Sequence, residues 1–231
     1  MSLIILTSAL LPAILLWLYV WKKDPQPEPV SWLIRAVIYG ILICMPAATI
    51  EMFIQDTLWG GDATPSTLID SITQAFLVAA VPEESVKLFA LWLILRRNPY
   101  FDEHYDGIVY AVSVGLGFAA VENIFYVFSE EGWLSVAIGR ALLAVPGHYA
   151  FAVLMGYYYS LHHFVDHSPK NALCILLVPV IAHGLYDSIA MSAQAEPLIG
   201  GLCFPALLWF CIKMHKSARS KILILIEKDR Q

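Results

Sequence analysis

Seven long apolar stretches follow one another with only short polar breaks between them, and that succession leaves few folds open. They are Leu3–Trp21, Trp32–Phe53, Leu68–Leu95, Gly107–Phe128, Trp133–Leu161, Ala172–Ser192 and Leu198–Met214. About 20 mostly apolar helical residues are needed to cross the roughly 30 Å hydrocarbon core of a bilayer. Composition points the same way. Of 231 residues, 59% are hydrophobic and 14% charged, whereas a soluble domain carries about a quarter charged residues. A water-soluble core of this length cannot bury that apolar excess. The net charge of −5 argues against nucleic acid as a partner, because phosphate binding needs a basic face. The expected fold class is all-α: a polytopic membrane protein of about seven transmembrane helices, with the lipid bilayer as its surroundings.

The breaks carry helix-stopping residues: Asp24-Pro25-Gln26-Pro27-Glu28-Pro29, Gly60-Gly61-Asp62, Asn98-Pro99, Glu130-Glu131-Gly132, Ser168-Pro169 and Glu196-Pro197. None is long enough for a second domain, so residues 1–231 read as one integral-membrane domain. The first stretch has no basic residue before it and exceeds a signal peptide's apolar region, so it reads as a retained span. Cys44, Cys174, Cys203 and Cys211 lie singly in apolar runs and read as packing residues, not as a disulfide framework. Lys and Arg set the orientation. Lys22, Lys23, Arg96, Arg97, Lys170, Lys213, Lys216, Arg219, Lys221, Lys228 and Arg230 all follow odd-numbered spans. The alternate loops hold none, which predicts the N-terminus outside and the C-terminus in the cytoplasm. Arg35 and Arg140, near span ends, read as side chains that snorkel to the interface.

Ionisable groups inside the hydrocarbon are costly and are functional candidates by default. The third stretch carries Pro82-Glu83-Glu84-Ser85-Val86-Lys87, the fourth Glu122, the fifth Pro146-Gly147-His148 and the sixth His183 with Asp187. Counted from the cytoplasmic end of each span at about 1.5 Å per residue, Glu83, Glu122, His148 and His183 lie roughly 16–23 Å deep. They share one layer, slightly to the outer side of the midplane, and can converge on one pocket. Lys87 is spaced to pair with either glutamate. Asp187, four residues after His183, can fix one imidazole nitrogen and leave the other free for substrate, water or metal. Pro82 and Pro146 free backbone carbonyls beside the polar residues. Gly115, Gly117, Ala119 and Ala120 let the fourth span approach its neighbours. Asp106 reads as the N-cap of that span. The group His162, His163, Asp166 and His167 reads as a solvated loop.

Two function classes put acids and bases in mid-membrane. One is hydrolysis of a buried peptide bond, with a glutamate as general base toward water. The alternative is a proton- or ion-coupled transporter, which usually shows twofold repetition; none is visible here. A receptor or lipid-binding role would leave the shared-depth carboxylates without a purpose.

Glu83-Glu84-x-x-Lys87, Phe118-x-x-x-Glu122 and His183-x-x-x-Asp187, in this order on successive helices, resemble the motif set of the PrsW intramembrane proteases. The segments Phe101–Tyr110 and Arg140–Leu143 ahead of His148 add to the resemblance, which covers nearly the whole chain. It implies a multi-pass protease of the bacterial plasma membrane that makes the first (site-1) cut in a single-pass membrane anti-sigma factor. That cut starts regulated intramembrane proteolysis and ends in release of a stress-response sigma factor. Carried over by position, the resemblance makes Glu83, Glu84 and His183 catalytic. Within that set Glu84 or Glu83 would activate water, and His183 would polarise the carbonyl or bind a metal. Asp187 would orient His183, Glu122 and His148 would complete the site, and Lys87 would balance charge. The family is described as metalloproteases, while its wider superfamily includes enzymes argued to be metal-free. Glu122, His148 and His183 could serve a divalent metal such as zinc or a hydrogen-bonded water, and the sequence leaves both open.

Overall fold

The structure, a computed structural model, describes residues 2–62, 64–129 and 132–231. It is all-α among those residues, as expected of a polytopic membrane protein. Helices α1 (Ser2–Trp21) and α2 (Val30–Trp59) are joined by the proline-rich break. A third helical run follows as α3 (Leu68–Gln74), a π-helical turn (Ala75–Ala80) and α4 (Val81–Leu95). Then come α5 (Asp106–Ser129), α6 (Trp133–Gly139), a π-helical turn (Arg140–Ala144) and α7 (Val145–Ser160), which ends in a further π turn (Leu161–Val165). Last are α8 (Pro169–Ala195) and α9 (Pro197–Asp229). Of the expected break at 130–132, Glu130 and Glu131 lie outside the described residues.

Among the described residues, five helical runs are by themselves long and apolar enough to cross a membrane: Leu3–Trp21, Val30–Trp59, Asp106–Ser129, Trp133–Val165 and Pro169–Ala193. The third and seventh expected spans are not among them. The third run carries Asp70, Glu83, Glu84 and Lys87, so the charges that make it interesting also lower its hydropathy. The seventh does not stop at Met214. It continues as α9 to Asp229, with Ala218, Ile222 and Leu225 buried at helical spacing between basic residues.

α5 is the axis of the bundle. It is buried along most of its length and packs chiefly on α2 and α7, with α1 alongside. Close approach needs small residues, as expected. A Cβ on Gly117 would strike the Val37 backbone of α2, and one on Gly156 of α7 would strike the Gly107 carbonyl of α5. Large apolar side chains such as Leu42, Ile69, Leu177 and Leu202 are exposed, which suits a lipid-facing surface. One end of the molecule gathers the last turn of α1, the first of α2 and the loop into α5, together with the end of α9. There Tyr110 donates to Glu28, and Asp229 accepts from the backbone N–H groups of His104 (2.8 Å) and Tyr105 (2.8 Å). Asp106 differs from expectation at this end. It is the first helical residue, and its Oδ2 reaches backward to the N–H groups of Asp102 (3.1 Å) and Glu103 (2.7 Å), clipping the loop instead of capping the helix.

Candidate active site

Two prolines set the site. Pro82 and Pro146 stand at the starts of α4 and α7, and each follows a π-helical turn. Proline donates no backbone hydrogen bond and clashes with the carbonyl four residues back, so the helix loosens before it. Such π segments recur at functional sites. Here they deliver Glu83 and Glu84 on one helix and His148 on another into the same interior space.

The expected convergence is present. Lys87 Nζ lies 2.8 Å from Glu83 Oε2, 2.8 Å from Glu84 Oε1 and 3.2 Å from His148 Nδ1. The ammonium therefore joins both glutamates at once, where spacing alone allowed either, and it also sits 4.3 Å from the Phe118 ring centroid. His183 Nδ1 is 2.9 Å from Glu84 Oε1 and its Nε2 is 3.1 Å from Asp187 Oδ2. Asp187 does hold one nitrogen, but the second is not free as expected: Glu84 holds it. His148 Nε2 is 2.7 Å from Glu122 Oε2, which is in turn 3.1 Å from Arg140 Nη2. All seven expected residues thus form one network, with the His148 and His183 rings 5.4 Å apart and His183 stacked on Phe151 at 4.8 Å.

Arg140 is a correction. It does not snorkel. Its guanidinium pairs with Glu122, its Nε donates to Asn123 Oδ1 (2.7 Å), and it covers the Tyr126 ring. The π turn at Arg140–Ala144 is the reason it faces inward. Glu51 was not singled out in the sequence, yet it lines the same space. The signal is in the sequence: Glu51 is the one charged residue between Arg35 and Asp56, in an apolar stretch.

That space is a cavity of about 1320 Å³. Glu83, Glu122, Arg140, His148, His183 and Asp187 form its inner wall, and Glu51, Gln55, Asp56 and Gly61 lie toward the α2–α3 loop. Small-molecule sites run to roughly 300–1,000 Å³, so this one has room for a polypeptide segment. The two adjacent glutamates differ. Glu83 borders the cavity, while Glu84 is fully buried behind it. Glu84 Oε1 is taken by Lys87 and His183, and its Oε2 is buried without a partner.

The donor set suits a metal by type and closeness. Glu83, His148 and His183 each offer one ligand atom, all within 4.8 Å of one another, and two imidazoles with a carboxylate are a common zinc set. Glu122, expected among the ligands, lies instead against His148 Nε2, the position of a group that orients a ligand. The group His162, His163, Asp166 and His167, expected as a solvated loop, is partly helical: Leu161–Val165 form a π turn, and His163 packs on Phe101 and Phe164.

Comparison with known proteins agrees with this geometry. Residues 28–214 match the family model described as PrsW family intramembrane metalloprotease. The proteins named Protease PrsW from Geobacillus kaustophilus and Oceanobacillus iheyensis are each 35% identical to this chain over 217 residues. The alignments cover 93% of this chain and 92% of the first relative, and 94% and 95% for the second. The Bacillus subtilis protein of the same name is 35% identical over 220 residues, covering 94% of this chain and 96% of its own length. No solved structure matches the chain.

Proposed function

Because the chain belongs to the PrsW family of intramembrane metalloproteases, we propose that it makes the first cut in a single-pass membrane anti-sigma factor and so starts sigma-factor release in a stress response. It is a peptidase and a multi-pass membrane protein; in a bacterium that membrane is the plasma membrane. The observation that carries the mechanistic reading is the meeting of Glu83, His148 and His183 on the wall of a polypeptide-sized cavity. The substrate class is supported by the motif resemblance alone. The whole chain, 1–231, acts as one domain in this reading, with the N-terminus outside and the C-terminus in the cytoplasm. The gathering of the ends that carry Lys22, Lys23 and Arg96 with the end of α9 supports that orientation.

Glu83 is the carboxylate that meets cavity water, and it accepts the proton as that water attacks the peptide carbonyl. Lys87 holds Glu83 and Glu84 in place from behind and balances their charge. His183, both of whose nitrogens are held by carboxylates of Asp187 and Glu84, stands on the cavity wall beside the developing oxyanion and stabilises it electrostatically, without a hydrogen bond of its own. Glu122, pinned by Arg140, fixes His148. Glu83, His148 and His183 would hold a divalent metal such as zinc, each imidazole giving up one of its present contacts to do so, and the metal would supply Lewis-acid polarisation of the carbonyl and a more acidic water. Elemental analysis of purified protein, with activity measured in a chelator, tests this: about one metal per chain and chelator-sensitive activity are expected. Well under one metal with full activity would remove the metal from the reading.

The polar layer sits toward the outer side of the midplane, so the cut falls near the extracytoplasmic end of the substrate's span. Co-expression with a tagged single-pass anti-sigma factor and mapping of the product's terminus tests both points. A cut near the cytoplasmic face would contradict the depth argument. Cleavage of unrelated single-pass proteins but not of the anti-sigma factor would contradict the substrate class.

A further inference from the structure

A second group of carboxylates lies at the opposite level of the molecule, where the proline-rich break meets the loop into α5. Asp24, Glu103 and Asp106 each offer an oxygen within 4.8 Å of the others, and Glu28 and Asp102 adjoin them through Asp106. Asp24 is 6% exposed and Asp106 is 0% exposed. The two segments are about 80 residues apart in sequence, and the second, Phe101–Gly107, has no part in the proteolytic site.

The hydrogen bonds divide each carboxylate in the same way. One oxygen of each is engaged: Asp24 Oδ1 accepts from Gln26 N–H (3.1 Å), Glu103 Oε1 from the Gln26 side-chain amide, and Asp106 Oδ2 from the Asp102 and Glu103 N–H groups. The other oxygen of each, Asp24 Oδ2, Glu103 Oε2 and Asp106 Oδ1, is buried with no partner. Three carboxylates that approach one another within 4.8 Å thus each keep one buried acceptor with no donor aimed at it. Among the described residues no Lys or Arg pairs with any of the five acids, and the nearby His104 is committed to Asp229. Burying carboxylates without a counter-charge is strongly unfavourable, and unsatisfied buried acceptors call for a missing donor or ion.

We propose that Asp24, Glu103 and Asp106 form a binding site for a hard divalent cation, Mg²⁺ or Ca²⁺, that staples the α1–α2 break to the loop entering α5. An all-oxygen, carboxylate-rich donor set selects hard cations over zinc. Glu28 adds charge from one side, and water completes the coordination from the side of exposed Asp102. The cation replaces the missing donor for all three orphan oxygens. It also fixes the start of α5, the helix whose far half carries Glu122. This site is independent of the proteolytic reading.

Terbium luminescence tests it directly. Tb³⁺ takes oxygen-rich calcium sites, and Trp21 and Tyr110 are near enough in the fold to sensitise its emission. Purified full-length protein in detergent, carrying Glu83→Gln to remove the other donor set, is titrated with Tb³⁺ and then with Ca²⁺ or Mg²⁺ as competitor. Saturable emission displaced by one of these cations is expected. Affinity should fall at least about 10-fold in Asp24→Asn and in Glu103→Gln, and stay unchanged in Asp62→Asn, an exposed acid elsewhere. No saturable emission, or emission indifferent to both variants, overturns the proposal. Thermal denaturation gives the second readout. The parent protein should gain several degrees on adding the displacing cation, and Asp24→Asn should lose that gain. If Asp24→Asn instead melts higher than the parent with and without cation, the carboxylates only repel one another and no site exists.

Discussion

The two carboxylate clusters of this molecule handle the same electrostatic problem in opposite ways. At the centre of the bundle, Glu83, Glu84, Glu122 and Asp187 are matched by groups within the chain: Lys87 bridges two of them, Arg140 holds the third, and His183 and His148 fill the gaps. At the loop end, Asp24, Glu103 and Asp106 have no cationic partner among the described residues; Glu84 also leaves one oxygen without a partner, but its other oxygen is held by Lys87 and His183. The first cluster carries its own cations because the reaction needs fixed, directional donors that stay in place through turnover. The second lacks them because its balancing charge comes from outside. A buried carboxylate therefore says little about function by itself; the identity of its counter-charge says more.

The sharpest way to break this comparison is to remove the base. Glu83→Gln is expected to cut proteolysis by about 10²–10⁴-fold, the usual worth of a general base, with membrane abundance unchanged; immunoblotting of enzyme and product checks both. Next in size is Lys87→Met, which leaves two buried glutamates without their cation. Breaking a buried pair from one side costs about 3–5 kcal/mol, visible as a large fall in melting temperature in detergent. The double variant Lys87→Met/Glu83→Gln should recover part of that loss. Full stability of the single variant would mean that the glutamates do not depend on Lys87.

Smaller effects separate positioning from chemistry. Arg140→Lys keeps the charge but loses the planar fork that holds Glu122 and Asn123 together. A fall of about 10–100-fold in kcat with little change in KM is expected, and an altered KM alone would place Arg140 in substrate binding instead. The smallest expected effect is outside both clusters. Arg35, exposed and lying 4.8 Å from the Trp32 ring centroid, should tolerate Arg35→Ala within about 0.5 kcal/mol. A larger loss would mean that the interface anchor matters as much as the buried network.

Much of this was legible in the sequence, for a physical reason. In a bilayer, ionisable residues stand out against an apolar background, and depth along a helix converts directly into position. That is why Glu83, Glu122, His148 and His183 could be gathered into one layer before any fold was known. What depth does not give is direction around the helix axis. Depth alone does not aim Glu51 at the cavity, and it places Arg140 near the interface although the side chain pairs with Glu122 inside the bundle. The order of the adjacent glutamates, one at the cavity and one behind it, depends on the same rotation. The end of α9 was hidden because its buried Ala218, Ile222 and Leu225 alternate with basic residues that read as a tail. The acids at the loop end were unreadable because nothing local brings Asp24 to Asp106; only the bundle does.

The central claim, that peptide-bond hydrolysis occurs at the Glu83–His148–His183 meeting point, is tested most directly with purified components. Proteoliposomes holding only this protein and a fluorogenic single-pass substrate would be assayed for the parent, Glu83→Gln and Glu122→Gln proteins, with products identified by mass spectrometry. The parent should release one defined product, Glu83→Gln should release essentially none, and Glu122→Gln should retain slow cleavage at the same bond. Cleavage by Glu83→Gln at the parent rate would contradict the account.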